Sequence, residues 1–350
     1  MVSSRREFAD DSQNSSRQFA LDMLKLCELY GRRVAFHARC ADGIVSAALL
    51  RKYGLGDIFV PVDYGSLRED AVLSIIRKLP WFAILDLEPF ADSHLELYID
   101  HHSSTIGRRI PAQSIHFETG VNGSSTALVL ARSGLLPVTI PQYLAELVEM
   151  TKITDTASFA IDPPITTARA SEIRYDMAEK VWILDDACKS AKEVTQLVEL
   201  VELLSDGGFS EILKPSILAR VNLLRKHRKS GVLRAKEFIA TEFTIIITRK
   251  DSLYLDSVMW SILGRPEAKI VVAFQIIKGG TRISLRKSKT FEKSAFGQHN
   301  STDLAAFAGS INGGGHAYSS GGWMPDLEEA LDRVRAFART LKMQIVEHIV

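Results

Sequence analysis

The chain has 350 residues, with 43 Lys and Arg against 42 Asp and Glu and a formal net charge of +1. That length exceeds what one hydrophobic core usually serves and favours two domains, which excludes a peptide hormone or a small scaffold held by staples. With 46% hydrophobic and 24% charged residues, disorder and collagen are excluded. No whole-molecule attraction to nucleic acid or anionic lipid is left, so a polyanion must be held by a local basic surface or by metal ions.

The three cysteines, Cys27, Cys40 and Cys188, are far apart and form no C-x-x-C pair. This disfavours a disulfide framework and a structural zinc site, and a reducing compartment is expected. The first eighteen residues, MVSSRREFADDSQNSSRQ, lack the apolar centre of a signal peptide. No apolar run approaches the ~20 residues that span a bilayer. The expectation is a cytoplasmic protein without a membrane partner, whose residues 1–18 form a frayed, flexible terminus.

From residue 33, short apolar runs alternate with amphipathic stretches. Val34 to Phe36, Ile58 to Val62, Phe82 to Leu85 and Leu95 to Ile99 predict strands; Gly43 to Tyr53 and Arg68 to Leu79 predict helices between them. Strand and helix in alternation give an α/β fold with a mostly parallel sheet and flanking helices. Residues 141–240 read as almost wholly helical: Val194, Leu197, Val198, Val201 and Leu204 repeat at helical spacing until Gly207-Gly208 stops the run. β-signal returns at Phe243 to Thr248, Ile270 to Ile277 and Arg282 to Leu285, and helices are expected at Thr302 to Ser310 and Leu327 to Leu341. The predicted organisation is a first domain over 19–225, a helical connector over 226–242 and a smaller α+β domain over 243–350. Arg220 to Lys236 carries seven Lys and Arg and no acid; it reads equally as a solvated helix face or as a phosphate contact.

Ligand sites of open α/β sheets lie outside the carboxyl ends of the strands. Here those ends are rich in chemistry. Strand one runs into His37, Cys40 and Asp42, strand three into Asp86, and strand four into Asp100, His101 and His102; Asp155 follows in TKITDTASF. Singly, Asp42 or Asp86 reads as a helix cap or an Asx turn, His37 as a packed histidine and Cys40 as a small buried hydrophobe. Together, carboxylates and imidazoles at one sheet edge make a divalent-ion site.

These residues resemble the DHH phosphoesterases, which include RecJ-like single-strand exonucleases and nanoRNases. FHARCADGIVSAALL is similar to the family's first motif in its H-x-x-C-x-D-G form, AILDLEP to the second, YIDHHSS to the Asp-His-His motif and ITDTASF to the fourth. Asn312-Gly313-Gly314-Gly315-His316 and Ser284-Leu285-Arg286-Lys287-Ser288 resemble signatures of the DHH-associated domain. The resemblance covers about residues 33–325.

The resemblance implies two divalent ions sharing Asp86. His37, Cys40 and Asp86 would hold one; Asp42, Asp86, His101 and Asp155 would hold the other. Catalytic roles fall to His102, facing the scissile phosphate, and to Asp42 and Asp86, while Asp100 would orient His101 or His102 from behind. Arg286, Gly313, Gly314, Gly315 and His316 would bind substrate. Manganese is the expected ion, with magnesium, cobalt or zinc open because Cys40 stands where many members carry Asp, and a thiolate is the softer donor.

The implied reaction is hydrolysis of short RNA or single-stranded DNA from an end by metal-activated water. The alternatives are a hydrolase of small nucleotides (3′-phosphoadenosine 5′-phosphate, linear or cyclic dinucleotides), a polyphosphatase of the wider superfamily, and a catalytically silent nucleotide-binding subunit. A homodimer is left open.

Overall fold

The structure, a computed structural model, describes residues 4–92, 94–120, 123–160, 162–169, 175–249, 252–277, 279–288, 302–315 and 319–349. It falls into two compact units. One comprises Met1–His101, Thr105–Phe159 and Ala168–Val221; the other comprises His102–Ser104, Ala160–Thr167 and Asn222–Val350. Residues 226–242, read from the sequence as a connector, lie within the second unit. Among the described residues, no helix is long and apolar enough to cross a membrane.

The first unit contains α1 (Ser4–Cys27), β1 (Arg33–His37), α2 (Ala41–Lys52), β2 (Ile58–Val62), α3 (Asp70–Ile76), β3 (Trp81–Leu85), β4 (Leu95–Asp100), β5 (Ala112–Phe117), α4 (Thr126–Arg132), α5 (Gln142–Asp155), α6 (Met177–Ser190), α7 (Val194–Gly207) and the start of α8 (Pro215–Ala235). Where a frayed terminus is expected, α1 runs from Ser4. Beyond residue 18 it is anchored, since Phe19, Ala20, Met23 and Cys27 recur at helical spacing and are buried.

The sheet has the order β2-β1-β3-β4-β5, and every pairing is parallel. The chain leaves β1 for β2 on one side and returns for β3 on the other, so the switch in strand order falls between β1 and β3. Crevices open at such points beyond the carboxyl ends. Parallel strands covered on both faces are apolar throughout, as β2 is, with all five residues buried. Pro61 is tolerated there because β2 is an edge strand.

Residues Ala41 to Leu50 of α2 are buried, because α2 packs against β1 and also against α4, α5 and α7. A helix enclosed in this way must be apolar all round. Gly43 permits its approach to β1: a Cβ there would lie 2.5 Å from the His37 carbonyl oxygen.

The second unit continues with β6 (Phe243–Thr248), α9 (Ser252–Leu263), β7 (Ile270–Ile277), β8 (Gly280–Lys287), α10 (Leu304–Gly309), β9 (Gly314–Gly315), β10 (Ser319–Met324), α11 (Leu327–Thr340) and β11 (Ile345–Ile349). Its sheet has the order β11-β6-β7-β8-β10-β9, with parallel pairs β11–β6 and β6–β7 and antiparallel pairs beyond. Phe243, Ile245 and Ile247 share a core with Leu304, Leu331 and Val334. Ile246, Val271 and Ala273 share another with Leu255, Val258, Met259 and Ile262 of α9. Each sheet face is therefore covered, which accounts for the unbroken apolar runs FTIIIT and IVVAFQII.

Candidate metal centre

The carboxyl ends of β1, β3 and β4, neighbours in the first sheet, bring the sequence-predicted residues together. His37 closes β1. A turn through Arg39, at φ 60°, leads to Cys40, the residue preceding α2, and Asp42 occupies the first turn of α2. Asp86 follows β3 with φ 57°, a backbone conformation uncommon for a residue with a Cβ and concentrated at functional sites. His101 follows β4, and Asp155 is the last residue of α5.

Among the described residues, two groups of potential metal ligands lie wholly within the first unit, each with its ligand atoms within 4.8 Å of one another: His37, Cys40 and Asp86, and Asp42, His101 and Asp155. Asp86 joins them. Its Oδ2 lies 3.2 Å from His37 Nδ1, whereas its Oδ1 lies 3.6 Å from His101 Nε2 and accepts a hydrogen bond of 3.2 Å from the Thr126 hydroxyl. One carboxylate thus presents one oxygen to each group.

The surrounding backbone fixes the other donors. The Thr126 and Ala127 N–H groups, at the amino end of α4, donate to Asp42 Oδ2 and Oδ1 at 2.6 and 2.9 Å, a favourable place for a carboxylate. His101 Nδ1 is 2.9 Å from the Gly123 carbonyl. A carbonyl can only accept, so Nδ1 carries a proton, and Nε2 faces Asp155 at 2.9 Å and Asp42 at 3.6 Å. The His37 ring is held edge-on against Tyr64, with centroids 5.0 Å apart. Asp100 accepts from the Tyr98 hydroxyl at 2.9 Å and from Thr105 at 2.6 Å. His102 is the next residue in the chain and belongs to the second unit with Ser103 and Ser104.

Asp42, Asp86 and His101 are all buried, and the electrostatics reflect it. Burial, then Asp86 and Asp155, hold the Asp42 carboxyl well above the usual carboxylate range. Burial and the same three carboxylates push the Cys40 thiol up. Burial opposes the His101 imidazolium, but Asp155, Asp86 and Asp42 outweigh it, so its pKa is raised well above the ordinary histidine value. A set that gathers protons so strongly, built from carboxylates, imidazoles and a thiol in two three-donor groups, fits a pair of divalent cations.

In the second unit, Arg286 is engaged within its own fold: Nη2 lies 3.2 Å from Asp256 Oδ1 on α9 and Nη1 donates to Ser319. Gly314 and Gly315 form β9. Gly313 and Gly315 press against β10, where a Cβ at either would collide with Gly321 or Ser320, and a Cβ on Gly314 would lie 3.3 Å from Ser104. The glycine run therefore has a packing reason besides any ligand. His316 lies outside the described residues.

The basic stretch on α8 divides. Arg225 and Arg228 are buried and donate to the carbonyls of Thr166 and Pro164 at 3.2 and 2.8 Å, so these two cations brace a loop and are not presented to a phosphate backbone. Lys226 and Lys229 are exposed.

The sequence reading missed Gly123 and Thr126. A signal existed: Ser125 precedes the apolar run TALVL, and its side chain caps α4 by accepting from Leu128 N. That the same helix end would hold Asp42 and Asp86 depends on tertiary placement.

No family model and no curated protein matches the chain. Among solved structures it is similar to a pGpG-specific phosphodiesterase, PggH, from Vibrio cholerae, with 20% identity, a TM-score of 0.55 and coverage of 89% of this chain and 99% of that one. It is also similar to RecJ in complex with Mn2+ from Thermus thermophilus, with 17% identity, a TM-score of 0.56 and coverage of 96% and 56%. A third is an exonuclease RecJ bound to manganese, with 17% identity, a TM-score of 0.52 and coverage of 93% and 94%. The fold of this chain is the one these three structures share.

Proposed function

We propose that this chain is a divalent-metal-dependent phosphodiesterase that hydrolyses short oligonucleotides, RNA or single-stranded DNA, from an end. The observation that carries the reading is the position of Asp86, with Oδ2 toward His37 and Oδ1 toward His101. His37, Cys40 and Asp86 would hold one cation and Asp42, Asp86, His101 and Asp155 the other. Such a pair, when bound, would supply an activated water and would offset charge on the phosphoryl group.

The protein's own contribution is to fix the donors. The N–H groups of Thr126 and Ala127 hold both oxygens of Asp42, and the Gly123 carbonyl accepts a hydrogen bond from Nδ1–H and so sets the face that His101 offers. His102 is assigned the scissile phosphate, and Arg286 and Gly313 to His316 the nucleotide. Because the terminal nitrogens of Arg286 meet Asp256 and Ser319, a phosphate would be met by an exchange of partners at that guanidinium.

A second reading, hydrolysis of a small linear dinucleotide, is supported by the similarity to a pGpG-specific phosphodiesterase along 99% of that chain. One panel separates them: end-labelled RNA and DNA from dinucleotides upward, pGpG, cyclic dinucleotides and 3′-phosphoadenosine 5′-phosphate, supplemented with manganese, with Asp86→Ala as control. A ladder from longer oligonucleotides with wild type alone supports the first reading; turnover confined to dinucleotides supports the second. Silence across the panel by folded, metal-loaded protein overturns both and leaves a nucleotide-binding subunit.

A further inference from the structure

Resting on that metal-dependent reading, we propose that the two ligand groups select different ions. The group bearing Cys40 takes a soft or borderline divalent ion such as zinc, and the group of Asp42, His101 and Asp155 takes manganese or magnesium, so the loaded centre is a mixed pair.

Asp86 is common to both positions, so they differ in what each adds to it. One adds His37 and the Cys40 sulfur; the other adds two carboxylates and His101 Nε2. Thiolate donors favour zinc, and carboxylate-rich sets favour manganese or magnesium. The difference is within one site, where the ions compete at the same pH and ionic strength.

Cys40 differs from the other two cysteines in its surroundings. It precedes α2 with extended backbone, φ −104° and ψ 131°, yet its side chain makes no capping hydrogen bond. Cys27 and Cys188 are buried in the apolar core, as free cysteines usually are, whereas Cys40 is half-buried and clustered with His37 and Asp86. Binding replaces the S–H bond by a metal–sulfur bond and releases the proton to solvent.

The test uses the full chain, stripped with chelator and titrated with cobalt(II), whose bond to a thiolate gives a charge-transfer absorption in the near ultraviolet. Wild type is expected to show this band and to keep it when excess manganese displaces the remaining cobalt. Cys40→Ser and Cys40→Asp are expected to lose the band while retaining cobalt, with unchanged circular dichroism. In Cys40→Asp, bound manganese is expected to rise from about one to about two ions per chain. Cobalt bound to wild type without the band, or a band that manganese removes together with all other cobalt, overturns this proposal and leaves the two-metal reading intact. Failure of wild type to bind any divalent ion overturns both.

Discussion

Both units bury charge, and they do so in opposite ways. In the second unit, Arg225 and Arg228 end on the carbonyls of Thr166 and Pro164, and Arg286 meets Asp256 and Ser319. Each guanidinium, buried at Arg225 and Arg228 and half-buried at Arg286, meets acceptors of its own fold, which is how proteins make such cations tolerable. At the edge of the first sheet, by contrast, Asp42, Asp86 and Asp155 converge around His101. Like charges brought together at the expense of stability mark a site built for a ligand of opposite sign. Buried charge alone does not indicate function; buried charge of one sign, gathered from three separate elements, does.

The strongest way to break this contrast is at Asp86, which serves both ligand groups. Asp86→Asn should lower metal-dependent hydrolysis by about 10³-fold or more, measured as initial rates at saturating manganese with folding checked by circular dichroism. Activity within tenfold of wild type would remove Asp86 from the centre. Thr126 sharpens the same point one step back, because its hydroxyl touches Asp86 and not the cations. Thr126→Val should weaken manganese binding by about 10- to 100-fold, with Thr126→Ser restoring most of it, as read by isothermal titration.

Proton linkage gives an effect at the centre of the first unit. Asp42 is held well above its ordinary 3.8 and His101 well above 6.5. Groups with raised folded pKa values bind protons that the unfolded chain has released. Their contribution to stability is therefore complete below those ordinary values and is lost as pH rises through the folded ones. Divalent cations relieve the same crowding of negative charge. Manganese should then raise the melting temperature of chelator-treated protein more at about pH 8 than at about pH 6. A shift that is equal at both, or larger at the lower pH, would contradict the linkage.

The smallest expected effects belong to α8. Arg225→Ala or Arg228→Ala should cost about 1–3 kcal/mol of stability, because each leaves a carbonyl of the 160–167 segment without its donor. Lys226→Ala and Lys229→Ala should change it by about 0.5 kcal/mol or less, both read by denaturant unfolding. Lys226 and Lys229 are also exposed members of the basic stretch on which a phosphate contact can be tested. Neutralising the pair should weaken long oligonucleotides more than dinucleotides and reduce the salt dependence.

Much of this architecture is legible in the sequence because the first four strands are buried on both sides and their apolar runs end in polar clusters. β5 is not, since its pattern is inverted: Ile115 is exposed while Ser114 is half-buried. β10 hides in the glycine-rich stretch SSGGWM, whose glycines are set by packing against Ile311 and Gly313. The sequence reading missed α9, although Leu255, Val258, Met259 and Ile262 follow helical spacing. At the centre, the ligand residues announce themselves by type and position at strand ends. The groups that orient them, the Gly123 carbonyl and the N–H groups of Thr126 and Ala127, are backbone atoms and leave no trace in residue identity. The arginines of α8 mislead for the converse reason, since a basic run records charge and not which of its members the fold has used.

The most direct test of the central claim is the number of divalent ions bound per chain, measured by equilibrium dialysis and elemental analysis for wild type and Asp86→Asn. The account predicts about two ions for wild type and fewer than one for the variant. No bound ion in wild type, or an unchanged count in the variant, would contradict it.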